Sequence, residues 1–104
     1  MSQARRPVIA GNWKMHKTLG EARELVEGLK ARLGASPRPE VVICPPFTAL
    51  AAATEAAAGT PIKVGAQNMN RHDKGAFTGE IAPGMLTDLG VSHVILGHSE
   101  RRQL

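Results

Sequence analysis

Cysteine, aromatic residues and long apolar runs are all scarce in this chain of 104 residues. Its single cysteine, Cys44, excludes an internal disulfide and fits a reducing compartment. Aromatic residues make up 3% with no tyrosine, so a stacking surface for single-stranded nucleic acid is not expected. Apolar runs such as 41–44 fall far short of the roughly 18 residues a membrane helix needs, and the polar start predicts no secretory segment. We therefore expect a cytoplasmic globular domain with neither a nucleic-acid nor a membrane partner.

The charge of the chain is moderately basic. It holds 13 Lys and Arg against 9 Asp and Glu, which gives a net charge of +4 and a pI near 9.8. This balance favours anionic partners in general. The basic residues are scattered, however, and no zinc-finger, zipper or RNA-binding pattern is present. A small anionic metabolite fits these charges better than a nucleic acid does.

Four short apolar runs, at 8–12, 41–44, 62–66 and 93–96, predict strands that are buried on both faces, as in a parallel sheet. A Thr18-x-x-Glu21 capping box predicts a helix that ends at Gly34. An alanine-rich helix is predicted over 48–58, and a third helix from Thr78 to about Leu89. The alternation of strands and helices indicates an α/β fold with right-handed parallel crossovers.

Two architectures fit this order of elements. Four parallel strands with three crossovers form either a small open sheet of the flavodoxin-like kind or half of an eight-stranded barrel, and periodicity does not separate the two. The connection over 68–77 is unusually long for a compact domain. A loop of that length is typical of a functional segment or an interface.

The carboxyl ends of the predicted strands are where function is expected in a parallel α/β fold. The segments there are 12–16, 45–48, 67–70 and 98–101. Lys14 could meet an anionic substrate, although a solvated lysine is the commoner case. His98 precedes a predicted helix start, whose positive end would disfavour the charged imidazole and leave a neutral hydrogen-bond donor. On position alone, a structural histidine fits equally well.

Several other chemistries are excluded or disfavoured by the residues present. Gly97-His98-Ser99 is not a nucleophile elbow, because Arg101 stands where the second glycine belongs. The four histidines lack metal-ligand spacing, so no metal is expected. No glycine-rich nucleotide loop occurs. Cys44 lies in an apolar strand and is interpreted as a small buried hydrophobic residue.

Four motifs resemble the triosephosphate isomerase family, in that family's order and at the strand and loop positions predicted above. They are Ala10-Gly11-Asn12-Trp13-Lys14-Met15, Gly65-Ala66-Gln67-Asn68, Gly75-Ala76-Phe77-Thr78-Gly79-Glu80 and Ile95-Leu96-Gly97-His98-Ser99-Glu100-Arg101-Arg102. The resemblance covers essentially the whole chain but only the first part of the family's barrel, which takes about 250 residues. It implies that residues 1–104 are a partial TIM-barrel domain, with about three βα units and a fourth strand.

The resemblance also implies an activity and its residues. The family interconverts dihydroxyacetone phosphate and glyceraldehyde 3-phosphate in glycolysis and gluconeogenesis, without a cofactor. Asn12 and Lys14 match its substrate-binding pair, and Lys14 would stabilise negative charge on the enediolate. His98 matches the neutral histidine that polarises the carbonyl. Ser99 and Glu100 match the supporting residues that follow it, and Glu100 would orient Lys14.

The long loop acquires a role from the same resemblance. Phe77 and Thr78 match the arm that docks on the second subunit of the family's homodimer, and Met15 is assigned to the same interface. The family's general-base glutamate and its phosphate-binding loops lie later in the barrel and have no match in these residues. We therefore expect the 104-residue chain to be inactive alone. A non-catalytic half-barrel and an anion-binding α/β module are the alternatives.

Overall fold

The computed structural model describes residues 7–34 and 39–102. Its centre is a sheet of four parallel strands: β1 (Val8–Asn12), β2 (Glu40–Cys44), β3 (Lys63–Ala66) and β4 (His93–Val94). Ile9 is paired with Val41, Ile43 with Val64 and Gly65 with His93. The four predicted strands are confirmed, with β4 two residues shorter than the apolar run at 93–96.

The strand order decides between the two architectures left open by the sequence. Each strand lies beside the one that precedes it, in the order β1-β2-β3-β4. A flavodoxin-like sheet has the order 2-1-3-4-5, in which the chain reverses direction across the sheet. No such reversal occurs among these strands. The sequential order is that of a barrel wall, and the flavodoxin-like alternative is therefore wrong.

Helices connect the strands. The helix α1 (Leu19–Leu33) begins at Thr18, whose hydroxyl accepts the Glu21 N–H at 3.4 Å while the Glu21 carboxylate accepts the Thr18 N–H at 2.9 Å. The predicted capping box is thus confirmed. The bond from the Thr18 backbone also lowers the pKa of Glu21. A 3₁₀ turn at Phe47–Ala49 leads into α2 (Leu50–Ala57), and α4 (Ser99–Arg102) follows β4.

The third helix starts later than predicted. It is α3 (Pro83–Leu89), and Thr78 is not its cap. Gly79 has a φ of 89°, and the Glu80 N–H donates to the Phe77 carbonyl at 2.9 Å, so the chain makes a turn there. A helix from Thr78 would also have placed Pro83 in its interior, where proline removes a hydrogen bond and clashes with the preceding turn. At the first helical position the same proline is favourable.

The core lies between the two inner strands and the helices. Val26 of α1, Ile43 of β2 and Val64 of β3 pack into one apolar cluster with α2 and α3. Gly65 makes the closest approach on the opposite face of the sheet. A Cβ there would lie 2.8 Å from the Cys44 Sγ and 3.2 Å from the His93 Cβ, which is too close for any side chain. The close packing of β2, β3 and β4 therefore depends on this glycine.

The outer strands are covered much less. All five residues of β1 are exposed, and Val8 and Ile9 retain 55% and 58% of their accessible surface. Leu96, just beyond β4, is 62% exposed. Each outer strand also has one edge that pairs with no strand among the described residues. The hydrophobic sequence of β1 is therefore not matched by burial within this chain.

Candidate active site

A cleft opens at the carboxyl ends of the strands, where parallel folds carry their ligands. Its volume is about 360 Å³. It receives residues from the segments that follow β1, β3 and β4. The lining residues are Asn12, Lys14, Met15, Gln67, Asn68, His98, Glu100 and Arg101.

Lys14 has an unusual backbone conformation at the edge of this cleft. Its φ is 54°, in the left-handed region that non-glycine residues rarely adopt. The Asn12 side-chain oxygen accepts the Lys14 N–H at 2.9 Å, and the Gln67 amide donates to the Lys14 carbonyl at 2.9 Å. Both sides of this strained residue are thus held by neighbouring side chains.

The Lys14 ammonium is paired with Glu100. Its Nζ lies 2.5 Å from the Glu100 Oε1, and the two side chains are 60% and 50% exposed. The hydrogen bond from Lys14, followed by that from the Glu100 backbone N–H, lowers the pKa of the Glu100 carboxyl. Water screens such an exposed pair, so its contribution to stability is small. The pair directs the ammonium along the cleft rather than into bulk solvent.

His98 follows Gly97, whose φ of 72° turns the chain back after β4. The imidazole is partly buried, and its Nε2 is in hydrogen-bond contact with the Gln67 carbonyl oxygen. A carbonyl oxygen can only accept, so Nε2 carries the proton in this contact. The arrangement therefore presents His98 as a donor through Nε2, whatever the state of the other ring nitrogen.

Gln67 was given no role by the sequence reasoning. Its side chain contacts the Lys14 segment, while its main chain contacts His98. One signal pointed to it: it is a polar residue directly after a buried strand, within the Gly65-Ala66-Gln67-Asn68 motif. Hydrogen bonds to backbone atoms leave no trace in residue spacing, so its partners could not be predicted.

The remaining predicted residues lie apart from this contact network. Ser99 is the first residue of α4, is exposed and does not line the cleft. Met15 is at the cleft but 93% exposed. Phe77 is 42% exposed and stacks on His72 with ring centroids 4.6 Å apart, and Thr78 is exposed in the following turn. Their assignment to an interface stays a prediction.

Cys44 contributes to the site only through its backbone. Its carbonyl accepts the Trp13 N–H at 3.1 Å and the Gln67 amide at 2.9 Å, while its side chain is 1% exposed. Burial raises the pKa of the thiol. A thiol with a raised pKa is a poor nucleophile, since the thiolate is the reactive form. The interpretation of Cys44 as a buried hydrophobic residue is confirmed.

Two other kinds of feature were sought in the described ranges, 7–34 and 39–102. No group of three His, Cys, Asp or Glu residues there is placed to hold a metal ion. Within the same ranges, no helix is both long and apolar enough to cross a membrane.

The cleft combines one cation and one imidazole donor. Such a pair can stabilise an oxygen on which negative charge develops, because both groups are fixed before the charge appears. Among the described residues that line the cleft, Glu100 is the one acid, and it is engaged by Lys14. The described part of the cleft is therefore suited to hold and polarise an anionic carbonyl compound, and it offers no free carboxylate base.

Comparison with known proteins gives a consistent answer. A family model described as triosephosphate isomerase matches residues 7–104. A triosephosphate isomerase from Moorella thermoacetica is 61% identical over 99 residues, covering 95% of this chain and 39% of that protein. One from Chloroflexus aurantiacus is 57% identical, covering 93% of this chain and 39% of that protein.

A solved structure agrees with the sequence matches. The triosephosphate isomerase of Bartonella henselae superposes with a TM-score of 0.86 at 44% identity, covering 96% of this chain and 41% of that one. The predicted first half of a (β/α)₈ barrel is thus confirmed. The chain spans about 39% of the length of the curated relatives it matches. On the match of the family model to nearly all of its residues, the chain belongs to the triosephosphate isomerase family.

Proposed function

We propose that these residues form the carbonyl-polarising part of an isomerase active site that interconverts dihydroxyacetone phosphate and glyceraldehyde 3-phosphate. One observation carries the proposal: Lys14, after β1, and His98, after β4, reach the same cleft from opposite ends of the sheet. The likeness to isomerases supports the choice of substrate. The domain is residues 1–104, and its proposed location is the cytoplasm.

The proposed chemistry assigns a different task to each group. A proton leaves the substrate carbon beside the carbonyl, its electron pair forms the enediolate double bond, and the carbonyl oxygen becomes negative. Lys14 stabilises that charge, and the His98 Nε2–H hydrogen-bonds to the oxygen and supplies a proton to it. Asn12 holds the Lys14 backbone. The carbon-bound proton goes to a carboxylate base that the rest of a complete barrel would supply.

An isomerase assay on the 104-residue chain, alone and mixed with a chain that carries the remaining barrel units, tests this proposal. We expect no turnover alone and turnover on mixing. In the mixture, Lys14→Met and His98→Gln should each lower kcat/KM at least 10²-fold. Lys17→Met is the matched control, because Lys17 also has a positive φ, 81°, but does not line the cleft. Turnover by the chain alone, or full activity of both variants, would overturn the assignment.

A second function, binding of phosphate esters without turnover, is favoured by one observation. Arg101 lines the cleft beside Lys14, so two cationic side chains face the same space. An anion-binding module would bind glycerol 3-phosphate with the same affinity whether or not the complementing chain is present. An isomerase half would bind it more tightly once the complementing chain completes the site.

A homodimer is the proposed assembly. Residues 71–80 are all exposed, and Met15 is 93% exposed at the rim of the cleft. These residues fit an arm, containing Phe77 and Thr78, that docks on a second copy. Sedimentation of the complemented protein should give a dimer, and Phe77→Asp should shift it toward the half-mass species. An unchanged mass would remove the arm from the interface.

A further inference from the structure

We propose that Gln67 is a positioning residue that fixes Lys14 and His98 relative to each other. It deepens the proposed function, on which its catalytic meaning rests. The claim itself concerns geometry: one residue on an inner strand sets the two groups that come from the outer strands.

The Gln67 side chain spends both of its donors on backbone carbonyls. Nε2 lies 2.9 Å from the Lys14 oxygen and 2.9 Å from the Cys44 oxygen. An amide has two N–H groups, so each carbonyl can receive one. Cys44 ends β2, so the amide links the Lys14 loop to the rigid inner part of the sheet. No other side chain in the described residues donates to the Lys14 carbonyl.

The conformation of Lys14 needs such a link. A φ of 54° costs free energy for any residue with a Cβ, and it persists only where the surroundings determine it. Asn12 holds the amide side of Lys14, and Gln67 holds its carbonyl side. Water could replace the lost donor at this exposed carbonyl, but a water molecule would not fix its direction. Without Gln67, we therefore expect Lys14 to relax toward a negative φ.

The main chain of Gln67 extends the link to His98. Its carbonyl accepts the His98 Nε2–H. Because side chain and carbonyl belong to one residue, a rotation at Gln67 displaces both Lys14 and His98. The Glu100 carboxylate, bound to the Lys14 ammonium, closes the same circuit from α4.

Three variants separate positioning from general stability. Gln67→Met keeps the approximate size but removes both donors. Gln67→Glu keeps the shape and points an acceptor at two carbonyls, and on protonation it regains one donor. Thr60→Val is the control: Thr60 precedes the same strand at its other end, and its hydroxyl also donates to a backbone carbonyl, that of Ala57, at 2.6 Å.

The first readout needs no ligand and no activity. Backbone ¹³C shifts and the HN–Hα coupling of Lys14, measured in the 104-residue chain, report whether its φ is positive. The wild type and Thr60→Val should show a positive φ, while Gln67→Met and, at neutral pH, Gln67→Glu should show a negative or averaged one. A preserved amide spectrum for α1 and α2 would establish that each variant is folded. A positive φ in both Gln67 variants would overturn the proposal, as would a negative φ in the wild type.

The second readout is binding of 2-phosphoglycolate, whose carboxylate resembles the enediolate. With the complementing chain present, both Gln67 variants should bind roughly tenfold more weakly than the wild type at pH 7. On acidification the Gln67→Glu variant alone should recover relative to the wild type, because its neutral carboxyl can donate again. Equal pH profiles for the Glu and Met variants would reduce Gln67 to a packing residue. Failure of the wild type to bind would count against the proposed function and leave the Lys14 result to decide the positioning role.

Discussion

The inner and outer strands of this sheet have similar sequences and different surroundings. The β2 strand reads Glu-Val-Val-Ile-Cys, and its last four residues are buried, whereas β1 reads Val-Ile-Ala-Gly-Asn and all five of its residues are exposed. Apolar residues thus specify a strand, but its neighbours determine how much of it is buried. The site spans both kinds of strand, because Lys14 and His98 follow outer strands while Gln67 follows an inner one.

The largest test of this difference uses the same substitution on each kind of strand. Ile43 on β2 is 3% exposed and Ile9 on β1 is 58% exposed. We expect Ile43→Ala to cost about 2–5 kcal/mol in the free energy of unfolding, since it leaves a cavity in the core. Ile9→Ala should cost below about 1 kcal/mol, since little packing is lost. Urea denaturation of the 104-residue chain measures both, and equal costs would mean that β1 is covered in solution.

A second test probes the packing of the inner strands through glycine. Gly65→Ala places a Cβ 2.8 Å from the Cys44 Sγ and should cost about 1–3 kcal/mol by overpacking. Gly28→Ala is the control within α1, where no atom lies within 4 Å of the new methyl group. It should stabilise the chain by about 0.5–1 kcal/mol, because alanine favours a helix. Thermal unfolding of both variants gives the comparison, and a neutral Gly65→Ala would mean that β2 and β3 can separate to accept it.

The smallest effect is expected at the ends of the outer strands. The pKa of Glu100 is lowered by Lys14, so the pair stabilises the folded chain above the ordinary carboxyl pKa, and this contribution is lost as the pH falls through the lowered value. A carbon-detected titration of Glu100 should show a midpoint below that of a free glutamate. In Lys14→Met the midpoint should return upward. An unchanged midpoint would mean that the two side chains do not meet in solution.

Local patterns predicted more of this molecule than long-range ones did. The Thr18 capping box and the alternation of strands and helices are set by neighbouring residues, and the structure confirms them. The start of α3 was missed because Thr78 is a good cap in isolation, while the turn at Gly79 and the position of Pro83 decided the outcome.

The candidate site divides in the same way. Lys14 and His98 were predictable because each directly follows a strand, and parallel strands carry their ligands at that end. The left-handed backbone of Lys14 and the contacts of Gln67 were not predictable, since they depend on bonds to backbone atoms 53 and 23 residues away in sequence. Residue identity records a side chain's chemistry, whereas these bonds depend on where the folded backbone brings its carbonyls.

The sequential order of the strands has a consequence for synthesis. Each strand pairs with the strand made just before it, so the sheet can grow along one edge as the chain leaves the ribosome. The Gln67 amide can reach Lys14 before His98, 31 residues further along, has been added. On this order the Lys14 loop is set first, and the translated chain then delivers the imidazole to a carbonyl that is already in place.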